Sequence, residues 1–223
     1  MGPLIGSILP LAIGIAISPV PLIAAILMLL SPRAKSTAVG FLIGWVIGIA
    51  VAVIVFTLLS SVLPATDSDA THPIVGVVQL VLGVLLLLIG VRQWRSRPKP
   101  GEQPKLPGWM KAIDTMTATR GFVLGLLLSA VNPKNLLLAV SAGLATGASG
   151  IPVWQQVIAI VIFVLLAASS ILAPVVAYLV ASDRMRGPLD SLRHWLATNN
   201  ATIMAVLMFV LGAVVIGKGI AQF

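Results

Sequence analysis

The sequence predicts an all-α membrane protein: six transmembrane helices, arranged as two inverted three-helix repeats, with helices 1 and 4 broken at proline motifs. Three observations carry this expectation. Several apolar runs reach the ~20 residues a bilayer span needs. The basic residues between them fall in alternate loops. The first and fourth runs are interrupted at matching places by a polar residue followed by proline. The totals agree: 59% of residues are hydrophobic, 9% are charged and the mean hydropathy is +1.11. A soluble domain is about half apolar and about a quarter charged.

Taken in order, span 1 runs from Leu4 to Leu30, with its break at Ser18-Pro19-Val20-Pro21. It is too long for a signal peptide and lacks a small-x-small cleavage site, so a retained span is expected. Span 2 is Ala38 to Leu63 and span 3 Ile74 to Val91. Span 4 is Gly121 to Thr146, broken at Asn132-Pro133. Span 5 is Val153 to Val180 and span 6 Ala201 to Ile220. This divides the chain into a first repeat (1–97), a Pro-rich basic linker (98–118) and a second repeat (119–223).

Of the 14 Lys and Arg, 12 lie in the loops after spans 1, 3 and 5. The loops after spans 2 and 4 hold none, and Lys218 is the one exception near the C-terminus. The positive-inside rule then places both termini outside a bacterial inner (plasma) membrane. The same distribution explains the net charge of +8 without nucleic acid: these residues set topology and meet anionic headgroups. The loop from Pro64 to Pro73 is short and mildly acidic, whereas the linker carries Pro98, Pro100, Pro104 and Pro107, which favour extended chain. Two stretches, Trp109 to Met116 and Met185 to Leu196, have helical apolar spacing and read as short interfacial helices.

The two breaks align as Ser18-Pro19-Val20-Pro21 with Asn132-Pro133-Lys134-Asn135. Proline removes a backbone donor, while Ser and Asn cap helices and proline suits the first helical position. Each break therefore starts a half-helix inside the membrane, with the positive end of its dipole there. Paired interruptions in corresponding spans are the sequence pointer to a transporter's central site. Lys134 sits within one of them. A lysine at mid-membrane costs about 2.5–3.5 kcal/mol on insertion scales and marks function by default. All six acidic residues (Asp67, Asp69, Glu102, Asp114, Asp183, Asp190) lie in loops or at span ends. The preferred reading of Lys134 is an anion site for phosphate, sulfate or carboxylate; the alternative is that it bonds backbone carbonyls that a break has freed, or is deprotonated. The missing intramembrane acids speak against divalent metals, cationic substrates and proton coupling through Asp or Glu.

Glycine stripes (Gly40, Gly44, Gly48; Gly76, Gly83, Gly90; Gly121, Gly125; Gly143, Gly147) permit close helix packing, within the monomer or, alternatively, at a homodimer face. Gln79, Thr57, Ser129, Ser141, Ser169 and Ser170 are polar groups inside spans, expected to bond neighbouring backbone for the most part, and Pro174 is a candidate kink in span 5. The chain has no cysteine, its two histidines (His72, His194) fall at opposite faces, and no phosphate loop, catalytic triad or zinc motif appears. Neither a cofactor, a resident metal nor enzymatic activity is expected.

With the Gly40–Gly48 stripe and Ser31-Pro32-Arg33, the paired Ser18-Pro19-Val20-Pro21 and Asn132-Pro133-Lys134-Asn135 segments resemble the GAP-like family, a mycobacterial and actinobacterial group of glycolipid- or sulfolipid-addressing proteins within the lysine-exporter superfamily. The resemblance covers almost the whole chain. It implies the six-helix inverted repeat and a role in exporting or positioning envelope lipids. It also carries Ser18, Pro19, Pro21, Asn132, Pro133, Lys134 and Asn135 over as candidate substrate-binding residues. The expected partners are membrane lipids and an anionic lipid; the alternatives are export of a small solute such as an amino acid, or a scaffold for lipid-synthesis enzymes.

The charge count makes a topology prediction that a cysteine-free chain suits well. Single Ser36→Cys and Gln222→Cys variants should label from opposite sides of sealed cells, Gln222→Cys from outside. Labelling of both from one side would contradict the topology.

Overall fold

Long stretches of Leu, Ile, Val and Ala in hydrocarbon can satisfy their backbone only as helix or closed barrel, and here they form helix. The computed structural model describes residues 1–62, 73–97, 113 and 115–223. The helices are α1 (Gly2–Ala16), α2 (Pro19–Leu30), α3 (Ala34–Val62), α4 (Pro73–Arg95), α5 (Ala118–Ala130), α6 (Pro133–Gly147) and α7 (Val153–Ile220). The described residues include no strand. The acidic loop after span 2, with His72, lies outside them, as does nearly all of the Pro-rich linker with its Trp109 helix. From that region only Ile113, which is buried, and residues 115–117 are described.

Three helices (α3, α4 and α7) are long and apolar enough to cross a membrane. The pairs α1–α2 and α5–α6, bent by 52° and 63° at their breaks, pass the same test together, giving up to five spans by length and composition. Of the 68 residues of α7, one departs from helical geometry: Ala181, at φ −141° and ψ 56°. Unbroken, such a helix would run roughly 100 Å at 1.5 Å per residue, against a hydrocarbon core of about 30 Å. Ala181 therefore divides it into two arms, 153–180 and 182–220. Pro174 is accommodated inside the first arm and is not the break.

The stretch Met185 to Leu196 differs from its expectation as a separate interfacial helix. It is helical but continuous with the final apolar segment, and Leu189 and Leu196 are buried. The polar residues that should have ended it turn back onto their own helix instead. Thr198 Oγ1 donates to the His194 carbonyl at 3.0 Å and Asn199 Nδ2 to the Trp195 carbonyl at 2.9 Å.

Glycine contacts give the direction of each packed pair. A Cβ on Gly121 would lie 2.6 Å from the Thr37 carbonyl, and one on Gly147 2.6 Å from that of Thr57, so α3 runs parallel to α5–α6. A Cβ on Gly76 would lie 2.9 Å from the Gly219 carbonyl, and one on Gly83 3.0 Å from that of Gly212, so α4 runs antiparallel to the second arm of α7. The stripes thus pack within the chain. One face of the bundle gathers the end of α2, the starts of α3 and α5, the end of α4 and the Ala181 break, and with them Arg33, Lys35, Arg92, Arg95, Arg120, Arg184 and Arg186. The opposite face gathers the start of α1, the start of α4, the end of α6 and the end of α7.

The sides of the bundle are apolar and bare. Val51, Leu58, Leu88, Val161, Leu165 and Val210 are exposed, while Phe41 and Trp45 stack against each other in the buried interior. In water this would be a large aggregation surface; against lipid it is the solvated face.

Because the glycine contacts meet backbone, which cannot swing aside, Gly121→Ala should lose about 1–3 kcal/mol, as overpacking does. Gly6→Ala, with nothing within 4 Å of the added atom, should be neutral. Thermal unfolding of the purified variants in detergent checks both, and equal melting temperatures would contradict the packing.

Candidate functional site

The first break begins with hydrogen bonds the sequence cannot make. In a helix each N–H donates to the carbonyl four residues back. Ile17 turns out of the helix at φ −80° and ψ 72°, and the Ser18 N–H donates to the Ala16 carbonyl at 2.9 Å instead of to Gly14. Pro19 and Pro21 have no N–H to offer Ile15 and Ile17. Three carbonyls at the end of α1 (Gly14, Ile15 and Ile17) are thereby stripped of helical partners.

Side chains replace them. Ser18 Oγ donates to the Ile15 carbonyl at 2.6 Å. Lys134 Nζ, arriving from the first turn of α6, donates to the Gly14 carbonyl at 2.6 Å, to the Ile17 carbonyl at 3.0 Å and to Ser18 Oγ at 2.5 Å. All three ammonium hydrogens are used, on a lysine only 2% exposed. The counter-charge is the negative end of the α1 dipole together with its orphaned carbonyls.

The second break is capped where the first is not, for Ser18 makes no side-chain bond to the start of α2, contrary to its expected role as a cap. Asn132 caps α6, its Oδ1 accepting from the Lys134 N–H at 3.1 Å, and Pro133 occupies the first helical position. Asn135 turns its Nδ2 back to the Leu128 carbonyl of α5 at 3.1 Å, while its Oδ1 lies 3.3 Å from Ser18 Oγ. The two breaks are therefore one assembly: α6 supplies Lys134 to the end of α1 and Asn135 to the end of α5, with Ser18 between them.

Of the residues singled out in the sequence, Ser18, Pro19, Pro21, Lys134 and Asn135 are buried together, Asn132 is half-buried and Pro133 is exposed. The expectation of an unpaired cation is where the geometry differs. Lys134 does bond freed carbonyls, the reading placed second. The start of α2 also has less to offer an anion than expected, since two of its first three residues are prolines without N–H. What sequence reasoning missed is the acceptor side, Gly14 and Ile17. The signal was present: prolines at 19 and 21 disable the carbonyls at 15 and 17 by the four-residue rule.

Two further concave features share no lining residue with this assembly. On the basic face a 410 Å³ cleft is lined by Ser31, Arg33, Lys35, Tyr178, Ser182 and Arg186. On the side, an apolar groove of 410 Å³ runs between Ala50–Leu58 of α3 and Val153–Leu165 of α7. The ion pairs among the described residues join Asp190 to Arg193 and His194, far along the chain from Lys134. The described residues hold no cluster of three or more His, Asp or Glu fit for a metal.

Fold and site together define a multi-pass helical membrane protein in which a buried lysine ties two broken helices together. The chain belongs to the family of Sap, the sulfolipid-1-addressing protein, whose model matches residues 8–221. No curated protein and no solved structure matches it.

Lys134→Met should leave the Gly14 and Ile17 carbonyls without donors and destabilise the protein by about 1–3 kcal/mol per orphaned group. Asn135→Leu, orphaning the one carbonyl of Leu128, should cost less. A urea or thermal titration in detergent that ranks them the other way would refute the assignment.

Proposed function

We propose that the protein exports or flips an anionic envelope lipid, working as a six-span transporter of two inverted repeats in the manner of the lysine-exporter superfamily, in a bacterial inner membrane with both termini outside. The observation that carries this is the Lys134 ammonium, buried and held by the carbonyl end of α1 and by Ser18. A cation so placed is a latch. Its bonds to neutral carbonyls are exchangeable for bonds to a sulfate or phosphate oxygen, which carries full charge and makes a stronger hydrogen bond. A headgroup that draws the ammonium away releases α1 from α6, and the broken helices are then free to rearrange. Differential binding of the anion to the open state is what moves the equilibrium.

The other features support the same reading. Family membership points toward a sulfolipid or related envelope lipid. The lateral groove offers an apolar path for tails, and Arg33, Lys35 and Arg186 collect anionic headgroups on the basic face. The break at Ala181, taken with α3, α4 and the two bent pairs, supports a count of six crossings. α1–α2 starts on the face where α6 ends, as inversion requires. The protein so described moves a lipid and performs no bond chemistry. A soluble carboxylate such as an amino acid would engage the same lysine, but the lateral groove favours a substrate with tails.

Reconstituted in liposomes, the wild-type protein should speed the transbilayer movement of a fluorescent sulfated glycolipid over that of its unsulfated parent. Lys134→Met should reduce the rate at least about tenfold, and Lys134→Arg should retain part of it. A Lys134→Met variant that flips lipid at the wild-type rate, or selective export of an amino acid in its place, would overturn the proposal.

A further inference from the structure

The face opposite the basic loops carries a second polar cleft, of 380 Å³, between the start of α1, the start of α4 and the ends of α6 and α7. Lys218 lines it. Among the described residues it is the only Lys or Arg at that face, and the ion pairs among the described residues, which join Asp190 to Arg193 and His194, do not include it. Its Nζ donates to the Ser7 carbonyl of α1, which leaves two N–H groups. The rest of the polar lining is mixed, since Met1 and the Gln222 amide also border the cleft, but three of its groups offer free acceptor oxygens. Gln79 is 1% exposed, lies in the wall of the cleft, and its Oε1 has no hydrogen-bond partner. Ser7 Oγ donates to the Leu4 carbonyl at 2.8 Å and Ser149 Oγ to the Thr146 carbonyl at 2.6 Å, so each hydroxyl has spent its proton and keeps lone pairs free.

We infer that this cleft is a second binding subsite, taking an anionic headgroup that also bears free hydroxyls: a sulfated or phosphorylated sugar. The reason is a matter of matching donors to acceptors. A bare sulfate or phosphate would satisfy Lys218 but gives nothing to the orphaned Gln79 oxygen or to the two serine oxygens. A neutral sugar would satisfy those oxygens and leave the ammonium without charge to meet. A headgroup with both kinds of group meets all of them. Lys218 and Lys134 grip carbonyls of the same helix, Ser7 and Gly14, two turns or roughly 10 Å apart along α1. The cleft is the station the headgroup reaches on leaving the membrane. That last step rests on the transport reading above; the binding does not.

The test uses the full chain in phosphatidylcholine nanodiscs, with an environment-sensitive fluorophore on Ala221→Cys at the rim of the cleft. The probes are a sulfated galactosyl lipid, its unsulfated parent and inorganic sulfate. The sulfated lipid should shift the fluorescence with the highest affinity. Lys218→Met should weaken it about tenfold and abolish the preference over the unsulfated lipid, and Lys218→Arg should restore that preference. Gln79→Leu should weaken both lipids. Arg120→Gln, which removes a cation from the opposite face and lines neither cleft, should leave the response intact, and because binding is read without transport, failure of this subsite and failure of the central latch are told apart. Lys218→Met binding the sulfated lipid as wild type does would overturn the inference. So would inorganic sulfate binding as tightly as the lipid, which would make the cleft a free-anion site.

Discussion

Everything central in this molecule depends on one bilayer rule: a carbonyl without a donor must find one inside the protein. The Ser18-Pro19-Val20-Pro21 segment creates three such carbonyls in the middle of a hydrophobic helix, and the nearest strong donor is Lys134 on another broken helix. The same bonds neutralise a buried cation that has no carboxylate beside it and fasten α1 to α6. Neither break is stable alone. The carbonyls of the first need the lysine of the second, and the charge of the second needs the dipole of the first. This mutual dependence is what allows two helix breaks to persist where one would be an expensive defect.

The remainder of the bundle holds that assembly in register. The glycine stripes bring α3 against α5–α6 and α4 against the second arm of α7, backbone to backbone, so the frame is rigid where it is not broken. The broken pair α5–α6 is held along its length by α3, whereas α1 is tied to α6 through the single side chain of Lys134. A conformational change in such a frame would be concentrated at that junction.

Much of this was legible in the sequence because bilayer physics leaves few choices. Most of the apolar runs became helices within a few residues of their expected ends, the last one excepted, whose helix begins at 182 and not at Ala201, and the matching polar-proline breaks met in space, though only Asn132 caps its half-helix. The glycine stripes met partners within the chain. Less legible was whatever depended on which partner a group finds. Lys134 reads as an unpaired cation until the four-residue hydrogen-bond rule is applied to Pro19 and Pro21, which shows that carbonyls await it. Three of the six polar residues inside spans, Thr57, Ser129 and Ser169, bond their own helix as expected, whereas Gln79 Oε1, Ser141 Oγ and Ser170 Oγ have no partner. In α7 the proline at 174 misleads: it sits inside helix, as Pro188 does, and the break falls at Ala181, whose side chain carries no signal. A helix in a membrane tolerates proline when neighbours re-satisfy its backbone, so composition alone does not locate the bend.

The central claim is that an anionic headgroup competes with the end of α1 for Lys134, and the distance between the two broken helices reports on it directly. Spin labels on Ile13→Cys in α1 and Leu127→Cys in α5, both exposed on the apolar surface, can be read in nanodiscs by pulsed electron resonance. If the latch opens, adding a sulfated glycolipid should bring in a second distance population, one that the unsulfated lipid does not produce and that Lys134→Met populates without any lipid. A single distribution, unchanged by the sulfated lipid and by the loss of the lysine, would mean that Lys134 is a fixed structural tie and that the anion acts elsewhere.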